Sequence, residues 1–346
     1  VTEFDFDEVK DNLKIFMRNQ NEFKDYDFEG SGLSALLDVL AYNTHYLGFN
    51  ANMLANEMFL DSSQLRSSVV SHAKTLGYTS RSATAAKATV DVFLNTSNPS
   101  ATMPAGTVFT SSVGDVSYQF VTTSDVTSLL SGSTIEFTEV IVYEGSYVST
   151  RYTVDTQNVE QRFLINDDRA DTTTLTVKVQ NSLSDSTLTT YTLATDIAAL
   201  TSTSNVYFLQ EVEDGKYEIY FGDGILGTTL EDSNILIMDY VVTNKGAANG
   251  AVTFVSSAAI DTVNSVNVRT VSPAAGGAEP ESIESIKYNA PLDFASQGRC
   301  VTTEDYKTYV RQLFANTQAV SVWGGEDGSF SNVTGASDVA EYGKVF

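Results

Sequence analysis

Gly276-Gly277-Ala278-Glu279-Pro280-Glu281-Ser282-Ile283-Glu284-Ser285-Ile286, followed by Ala290-Pro291 and then by Arg299-Cys300-Val301-Thr302-Thr303-Glu304-Asp305-Tyr306, marks where a strand-rich sequence turns helical. Gly276 and Gly277 break the region before them. Pro280 suits a first helical turn, where no N–H is needed, and Glu279, Glu281 and Glu284 complement the positive end of a helix. A short helix is therefore expected over about 280–288, stopped by Ala290-Pro291. Thr302 and Asp305 have the spacing of a capping box ahead of Tyr306, Tyr309, Val310, Leu313 and Phe314, which predicts a second, amphipathic helix. The stretch holds no metal-ligand cluster, no nucleophile with its base and no phosphate cradle. Its spacing points to assembly.

Upstream, residues 87–271 read as short strands rich in Thr, Ser and Val. Ala88, Val90, Val92 and Leu94 alternate with Thr89, Asp91 and Phe93, and Glu144-Gly145 and Asp214-Gly215 read as hairpin turns. The second hairpin is the clearer. Val206, Phe208, Gln210 and Val212 alternate before it, Tyr217, Ile219 and Phe221 after it, and its outgoing strand delivers Tyr220-Phe221-Gly222-Asp223-Gly224-Ile225-Leu226-Gly227.

The first part of the chain is helical in pattern. Phe6, Val9, Leu13, Phe16 and Met17 fall at helical spacing behind Asp5 and Asp7, and residues 25–32 interrupt. Leu33, Leu37, Leu40, Leu47, Ala51, Leu54 and Met58 then step by threes and fours, as in a coiled-coil seam. Val39, Tyr42, Tyr46, Phe49 and Met53 form a second stripe on another flank. A helix with two apolar flanks needs more than one neighbour, so it belongs at the centre of a bundle that other chains complete. Asp61 and Gln64 suggest a capping box for a third helix carrying Leu65, Val69, His72, Ala73 and Leu76, ended by Gly77.

The Gly-Gly, Pro-Glu, Ile opening, the Ala-Pro and the Arg299-x-Val301-Thr302-x-x-Asp305-Tyr306 pattern resemble the baseplate J-like family of contractile tails. Phe221-Gly222-Asp223-Gly224 and Pro104-Ala105-Gly106-Thr107-Val108-Phe109 add to the likeness. The N-terminal runs Gln20-Asn21-Glu22-Phe23, Leu40-Ala41-Tyr42-Asn43-Thr44 and Leu65-Arg66-Ser67-Ser68-Val69-Val70 resemble its T4-type wedge-forming branch. The resemblance implies a structural subunit of the virion tail baseplate, assembled in the host cytoplasm. It also implies two copies per wedge, neighbours among wedge proteins seven, twenty-five and fifty-three, and a ring that rearranges when the sheath contracts. Gly276, Gly277, Pro280, Glu281, Pro291, Arg299, Val301, Thr302, Asp305 and Tyr306, with residues 221–224, are its hallmark positions and are read as structural.

Composition fits. The 346 residues suffice for two or three domains, and one cysteine, Cys300, excludes an internal disulfide framework. No apolar run approaches a membrane span and no signal peptide is read, so a soluble, intracellular protein is expected until it enters a particle. A formal net charge of −24 argues against gripping nucleic acid or anionic membrane and suits a partner with a basic face.

Candidate chemistry is outweighed by packing. Gly222-Asp223-Gly224 offers one carboxylate between glycines, too few ligands for calcium, and reads as a tight turn. Asp167, Asp168 and Asp171 read as a turn before a strand. His45 and His72 lack zinc spacing, and Cys300 has no positive sign of a catalytic partner. Paired carboxylates that cut a glycan would be expected beside clustered aromatics, but Trp323 is the one tryptophan and the other rings follow strand and helix periods. The expected fold is α+β and multidomain: a helical bundle region over 1–83, a β-rich middle domain over 84–272, and over 273–346 a helical segment leading into an incomplete α+β domain. The expected function is structural and non-enzymatic, without cofactor or metal. The alternative is a tail-associated adhesin or glycan-binding module, suggested by the acidic Ser/Thr/Tyr-rich strands.

Overall fold

The computed structural model describes residues 5–20, 31–158, 161–195, 199–314, 317, 319–324 and 345. The proposed interruption at 25–32 lies largely outside these residues, as do Asn21-Glu22-Phe23 and the end of the expected 273–346 region. The architecture is α+β, and the chain forms two compact units, residues 1–72 and 73–346.

In the first unit, α1 (Phe6–Arg18) packs on α2 (Gly32–Glu57). The amphipathic pattern of α1 brings Met17 inward, and α2 contributes Ser34, Leu37 and Ala41 as its buried positions. Lys10 and Asp38 pair across the two helices at 2.6 Å. The Ser31 hydroxyl accepts from Ser34 N at 3.0 Å and starts α2. The turn after α2 is held differently from the capping box expected of Asp61 and Gln64. The Glu57 carboxylate, at the end of α2, accepts from Gln64 N at 2.8 Å and from Leu65 N at 3.3 Å, so the preceding helix supplies the acceptor. The third helix, α3, then spans Arg66–Thr75.

Strands follow in chain order: β1 (Lys87–Asn95), β2 (Ser100–Met103), β3 (Val108–Val113), β4 (Val116–Val121), β5 (Val126–Ser131), β6 (Thr134–Glu144), β7 (Ser146–Thr153), β8 (Phe163–Ile165), β9 (Ala170–Gln180), β10 (Leu188–Leu193), β11 (Val206–Glu211), β12 (Tyr217–Phe221), β13 (Ile235–Val242), β14 (Val255–Ser256) and β15 (Val266–Ala275). One sheet runs β14-β3-β4-β6-β1-β15 with β5 beside β6 and β2 beside β5; the other runs β7-β13-β9-β10-β11-β12-β8. Every pairing between the described strands is antiparallel except β10 with β11.

Alternation sets the first core: Ala88, Val90, Val92 and Leu94 face Phe109, Phe120, Ile135 and Phe137. The second sheet buries Phe163, Ile165, Val177, Tyr207, Tyr217, Ile219, Leu236 and Met238. Asp214 (φ 60°) and Gly215 (φ 70°) close the β11–β12 hairpin, with Leu209 opposite Ile219. On β11, Val206 and Gln210 of the alternating set are buried, and so are Tyr207 and Glu211 of the other. Tyr207 and Leu209 point to the core, whereas Phe208 stacks on Tyr220 on the other face with ring centroids 5.1 Å apart. Both faces of this strand are apolar, so β12 and its register decide.

Glu144-Gly145 is not a hairpin. The chain leaves β6 in one sheet and enters β7 in the other, where β7 pairs with β13. Gly145 (φ 124°) permits the passage, since a Cβ there would fall against the Val242 carbonyl oxygen. The buried Glu144 carboxylate holds the crossing by accepting from Thr243 Oγ1 at 2.6 Å, Asn244 N at 2.9 Å and Asn244 Nδ2 at 2.8 Å.

The helical segment also differs from its expected bounds. Helix α4 spans Ile283–Ser296, so Pro280 lies two residues before the cap Ser282 and Pro291 lies inside the helix. Ser282 caps the helix by accepting from Ser285 N. Gln297 in the left-handed conformation, not Pro291, ends it. The second helix, α5 (Thr303–Leu313), opens on the expected capping box, with Thr302 Oγ1 accepting from Asp305 N and Asp305 Oδ2 from Thr302 N.

Candidate assembly surface

Helix α2 is about 39 Å long at 1.5 Å per residue. Its charged side chains are Asp38 and Glu57, in a chain of formal charge −24. Leu37 is buried and Leu33 half-buried against α1, whereas the other seam positions Leu40, Leu47, Leu54 and Met58 are exposed, Leu47 at 61% and Leu54 at 70%. The second flank is exposed as well, through Val39, Tyr42, Tyr46, Phe49 and Met53. Tyr42 and Tyr46 meet at an interplanar tilt of 51° with centroids 4.8 Å apart, and His45 meets Tyr46 edge-on at 6.4 Å. Ile15 and Phe16 on α1, and Phe59 and Leu65 beyond α2, are exposed too. Large apolar side chains exposed in this number on one helix mark an interaction site. No helix among the described residues is long and apolar enough to cross a membrane. His72 lies against the Glu57 carbonyl oxygen at 2.9 Å, where it ties α3 to the end of α2.

The hallmark residues of the second unit are separate from that surface in sequence and form turns and clamps. Asp223 Oδ1 accepts from Ile225 N at 2.9 Å and Leu226 N at 3.1 Å, and these N–H groups hold its carboxyl below the usual carboxylate range. Gly224 (φ 86°) closes the turn onto the Gly227 carbonyl oxygen, and a Cβ at Gly222 would fall against the Leu226 carbonyl oxygen. This is the tight turn expected. Phe221 packs among Phe163 and Tyr191, and a cavity of about 500 Å³ bounded by Arg162, Tyr220, Gly222 and Asp223 opens beside it. Arg162 lies over the Tyr220 ring and pairs with Glu218 at 3.1 Å.

Gly277 approaches the Lys245 carbonyl too closely for a side chain and exchanges hydrogen bonds with the Asn249 carboxamide, both at 2.9 Å. Gly276 (φ 89°) makes the turn before it. Glu281 is 2% exposed. Its carboxylate accepts from Tyr78 Oη at 2.8 and 2.9 Å, Arg81 N at 3.2 Å, Ser285 Oγ at 2.7 Å and Asn289 Nδ2 at 2.7 Å. Burial, with the carboxylate beside it, pushes the Tyr78 hydroxyl upward. Glu281 is therefore an internal clamp and not a complement to the helix end. Arg299 and Val301 are exposed, with Val301 N donating to Asp305 Oδ2 at 3.0 Å, and Tyr306 is half-buried on α5.

Sequence reasoning missed the segment 78–86, which lacks a periodic signal. It runs as an extended strap, and Tyr78, Ser80, Ser82, Ala83, Ala85 and Ala86 are buried. Glu281 takes its Tyr78 and Arg81 donors, Glu211 takes the Ser80 hydroxyl, and Asp171 Oδ2 takes Ala85 N at 2.8 Å. The run of small residues is the signal that could have found it, since only small side chains fit a strap enclosed on several sides. Asp171 is thus a fully buried acceptor, while Asp167 caps the turn ahead of it by accepting from Arg169 N. Among the described residues, no group of three or more His, Cys, Asp and Glu is placed to hold a metal ion.

Comparison with known proteins gives consistent matches. A family model described as "Baseplate wedge protein gp6-like, helical domain" matches residues 5–78, the region of α1, α2 and α3. A second, described as "Bacteriophage baseplate wedge protein gp6, third domain", matches residues 146–255. Baseplate wedge protein gp6 of Enterobacteria phage T4 is 31% identical over 349 residues, covering 92% of this chain and 51% of that protein. The chain thus spans about half the length of this relative. A cryo-EM structure of the anti-feeding prophage baseplate aligns with 92% of this chain and 57% of its own matching chain, at 11% identity and a TM-score of 0.31, too slight to bear on the fold.

Proposed function

Since the chain belongs to the gp6 family of bacteriophage baseplate wedge proteins, we propose that it is a structural, non-catalytic subunit of a baseplate wedge in a contractile, T4-like phage tail. The observation that carries this reading is α2, a 26-residue helix whose apolar side chains stand exposed along two flanks. Such a helix leaves its apolar flanks against water until other helices cover them. In this reading residues 1–83 form the bundle region, and α2 and α3 pack against the equivalent helices of a second copy and of wedge protein seven. Residues 84–272 reach outward, and residues 273–346 lead into a further domain. Two copies sit in each wedge, wedge proteins twenty-five and fifty-three are further neighbours, and wedges join into an inner ring that rearranges when the sheath contracts.

The test is co-expression of the chain, extended to its natural C-terminus, with wedge proteins seven, twenty-five and fifty-three of the same phage, followed by the mass of the purified complex. A defined assembly with two copies supports the reading. A stable solitary monomer that ignores all three partners overturns it and moves the assignment to a surface-binding module.

A further inference from the structure

Acidic residues outnumber basic ones by 44 to 20 in this chain, yet two arginines line one cavity of the second unit. The cavity, about 430 Å³, lies among Arg81 of the strap, Arg311 of α5, and Glu284, Ser285, Tyr288 and Asn289 of α4. Arg81 Nη1 donates to the Arg311 carbonyl oxygen at 3.5 Å, and the Arg311 guanidinium lies over the Tyr288 ring at 5.5 Å. Neither guanidinium makes an ion pair with a described residue. The one lining carboxylate among the described residues, Glu284, is 84% exposed on its side chain and is held by Lys287 at 3.4 Å.

Two further polar atoms of the lining are unsatisfied. Arg81 Nε is buried without an acceptor, and Asn289 Oδ1 is buried without a donor, although Asn289 Nδ2 donates to Glu281 and Ser285. A buried polar atom without a partner is costly, so the cavity is complementary to a group that brings both an anionic acceptor and an N–H. An acidic residue within a polypeptide has both, in its carboxylate and its own backbone N–H. A phosphomonoester dianion lacks the donor; inorganic phosphate keeps an O–H, but its second charge would face Glu284. Paired guanidinium forks match the planar carboxylate.

We propose that this cavity receives an aspartate or glutamate side chain from a partner polypeptide. The site is independent of the wedge reading, which stands or falls on the mass of the complex.

The test uses the whole chain with ¹⁵N-labelled arginine, recording the side-chain Nε–Hε resonances during titration with N-acetylglutamate N-methylamide. The neutral glutamine analogue and inorganic phosphate are run at matched ionic strength. The expected result is a saturable shift of the Arg81 and Arg311 signals with the glutamate probe alone. Arg311→Gln should weaken it by roughly tenfold, the loss of one charge-assisted hydrogen bond. Arg311 is half-buried on α5, so this variant should keep the fold, as near-ultraviolet circular dichroism would verify. If Arg311→Gln unfolds, the wild-type titration decides alone. Absence of a saturable shift, an equal response to the glutamine analogue, or phosphate binding as strong as the glutamate probe would overturn the proposal.

Discussion

Replacement of Leu47 by Asp is the sharpest test of α2 as an assembly surface. Leu47 is 61% exposed and sits mid-helix, and its neighbours one turn away, Asn43, Thr44, Asn50 and Ala51, are uncharged. In the chain alone the change should cost only about 0.5 kcal/mol, the difference in helix propensity. In the assembly two terms add. Complete burial of a leucine side chain stabilises by about 1.5–3 kcal/mol, so covering the exposed fraction of Leu47 contributes about 1–2 kcal/mol, and this is lost. Placing an uncompensated carboxylate in an apolar contact costs roughly 3–5 kcal/mol more. The sum, about 4–7 kcal/mol, corresponds to roughly a thousand- to hundred-thousand-fold weaker association. Leu47→Ala removes only the first term and should weaken association about tenfold.

The assay is the mass and yield of the co-expressed complex by native mass spectrometry, beside circular dichroism melts of each isolated variant. The expectation is a monomeric Leu47→Asp chain with helical content unchanged, and a partly assembled Leu47→Ala. A Leu47→Asp complex of normal mass and affinity would refute the assembly role of this flank. A variant that unfolds by itself would refute the premise that Leu47 is free surface within the chain.

Glu281→Gln puts an amide N–H₂ where Glu281 receives donors from Tyr78, Arg81, Ser285 and Asn289, so stability should fall by about 3 kcal/mol in urea unfolding; a neutral outcome would show that the clamp is idle. Gly222→Ala drives a methyl group into the Leu226 carbonyl and should cost about 2 kcal/mol, read as a lower urea midpoint, and a loss under about 0.5 kcal/mol would contradict the close approach. Two carboxylates should respond oppositely to pH. Arg269 holds Asp91 below its ordinary value, so its contribution is present above the unfolded pKa near 3.9 and is lost as pH falls through the lower folded value. Burial raises Asp171, so its ionised form penalises the fold, and stability falls as pH rises from near 3.9 through the higher folded value. Urea midpoints from pH 3 to pH 7 should therefore show less acid destabilisation in Asp91→Asn than in the parent, and more in Asp171→Asn. Identical slopes in all three proteins would contradict both assignments.

Legibility in the sequence followed the locality of the determining contacts. The capping box of Thr302 and Asp305 spans four residues, the Asp214-Gly215 turn spans two, and β1 buries one face by simple alternation; each is specified by its own segment. Glu144-Gly145 has the same local chemistry as a turn, but its outcome depends on β7 finding β13 some ninety residues away. Pro291 shows the converse limit. A proline forbids one hydrogen bond and crowds one carbonyl, and the packing of Ile286 and Ala290 in the interior retains the helix through it. The exposed flanks of α2 were legible because the seam is periodic, whereas the cavity between Arg81 and Arg311 joins residues 230 positions apart and leaves no pattern in either neighbourhood.

The acidity of the chain has an internal use that composition cannot reveal. Asp91, Glu144, Asp171, Glu211, Asp239 and Glu281 are all buried. Asp91 and Asp239 face Arg269 and Lys178, whereas Glu144, Asp171, Glu211 and Glu281 are met by hydroxyl, amide and backbone N–H donors. A buried carboxylate tolerates its loss of water only while those donors stay in place. Three of these four hold donors on the strap 78–86, and each comes from a different element: the turn before α4, β11 and β9. Pulling the strap free would take donors from all three carboxylates at once, whereas an apolar contact of the same area would loosen gradually. The strap directly follows the helical region in sequence, so a displacement arriving along the chain from that region meets an anchor that holds or releases as a unit.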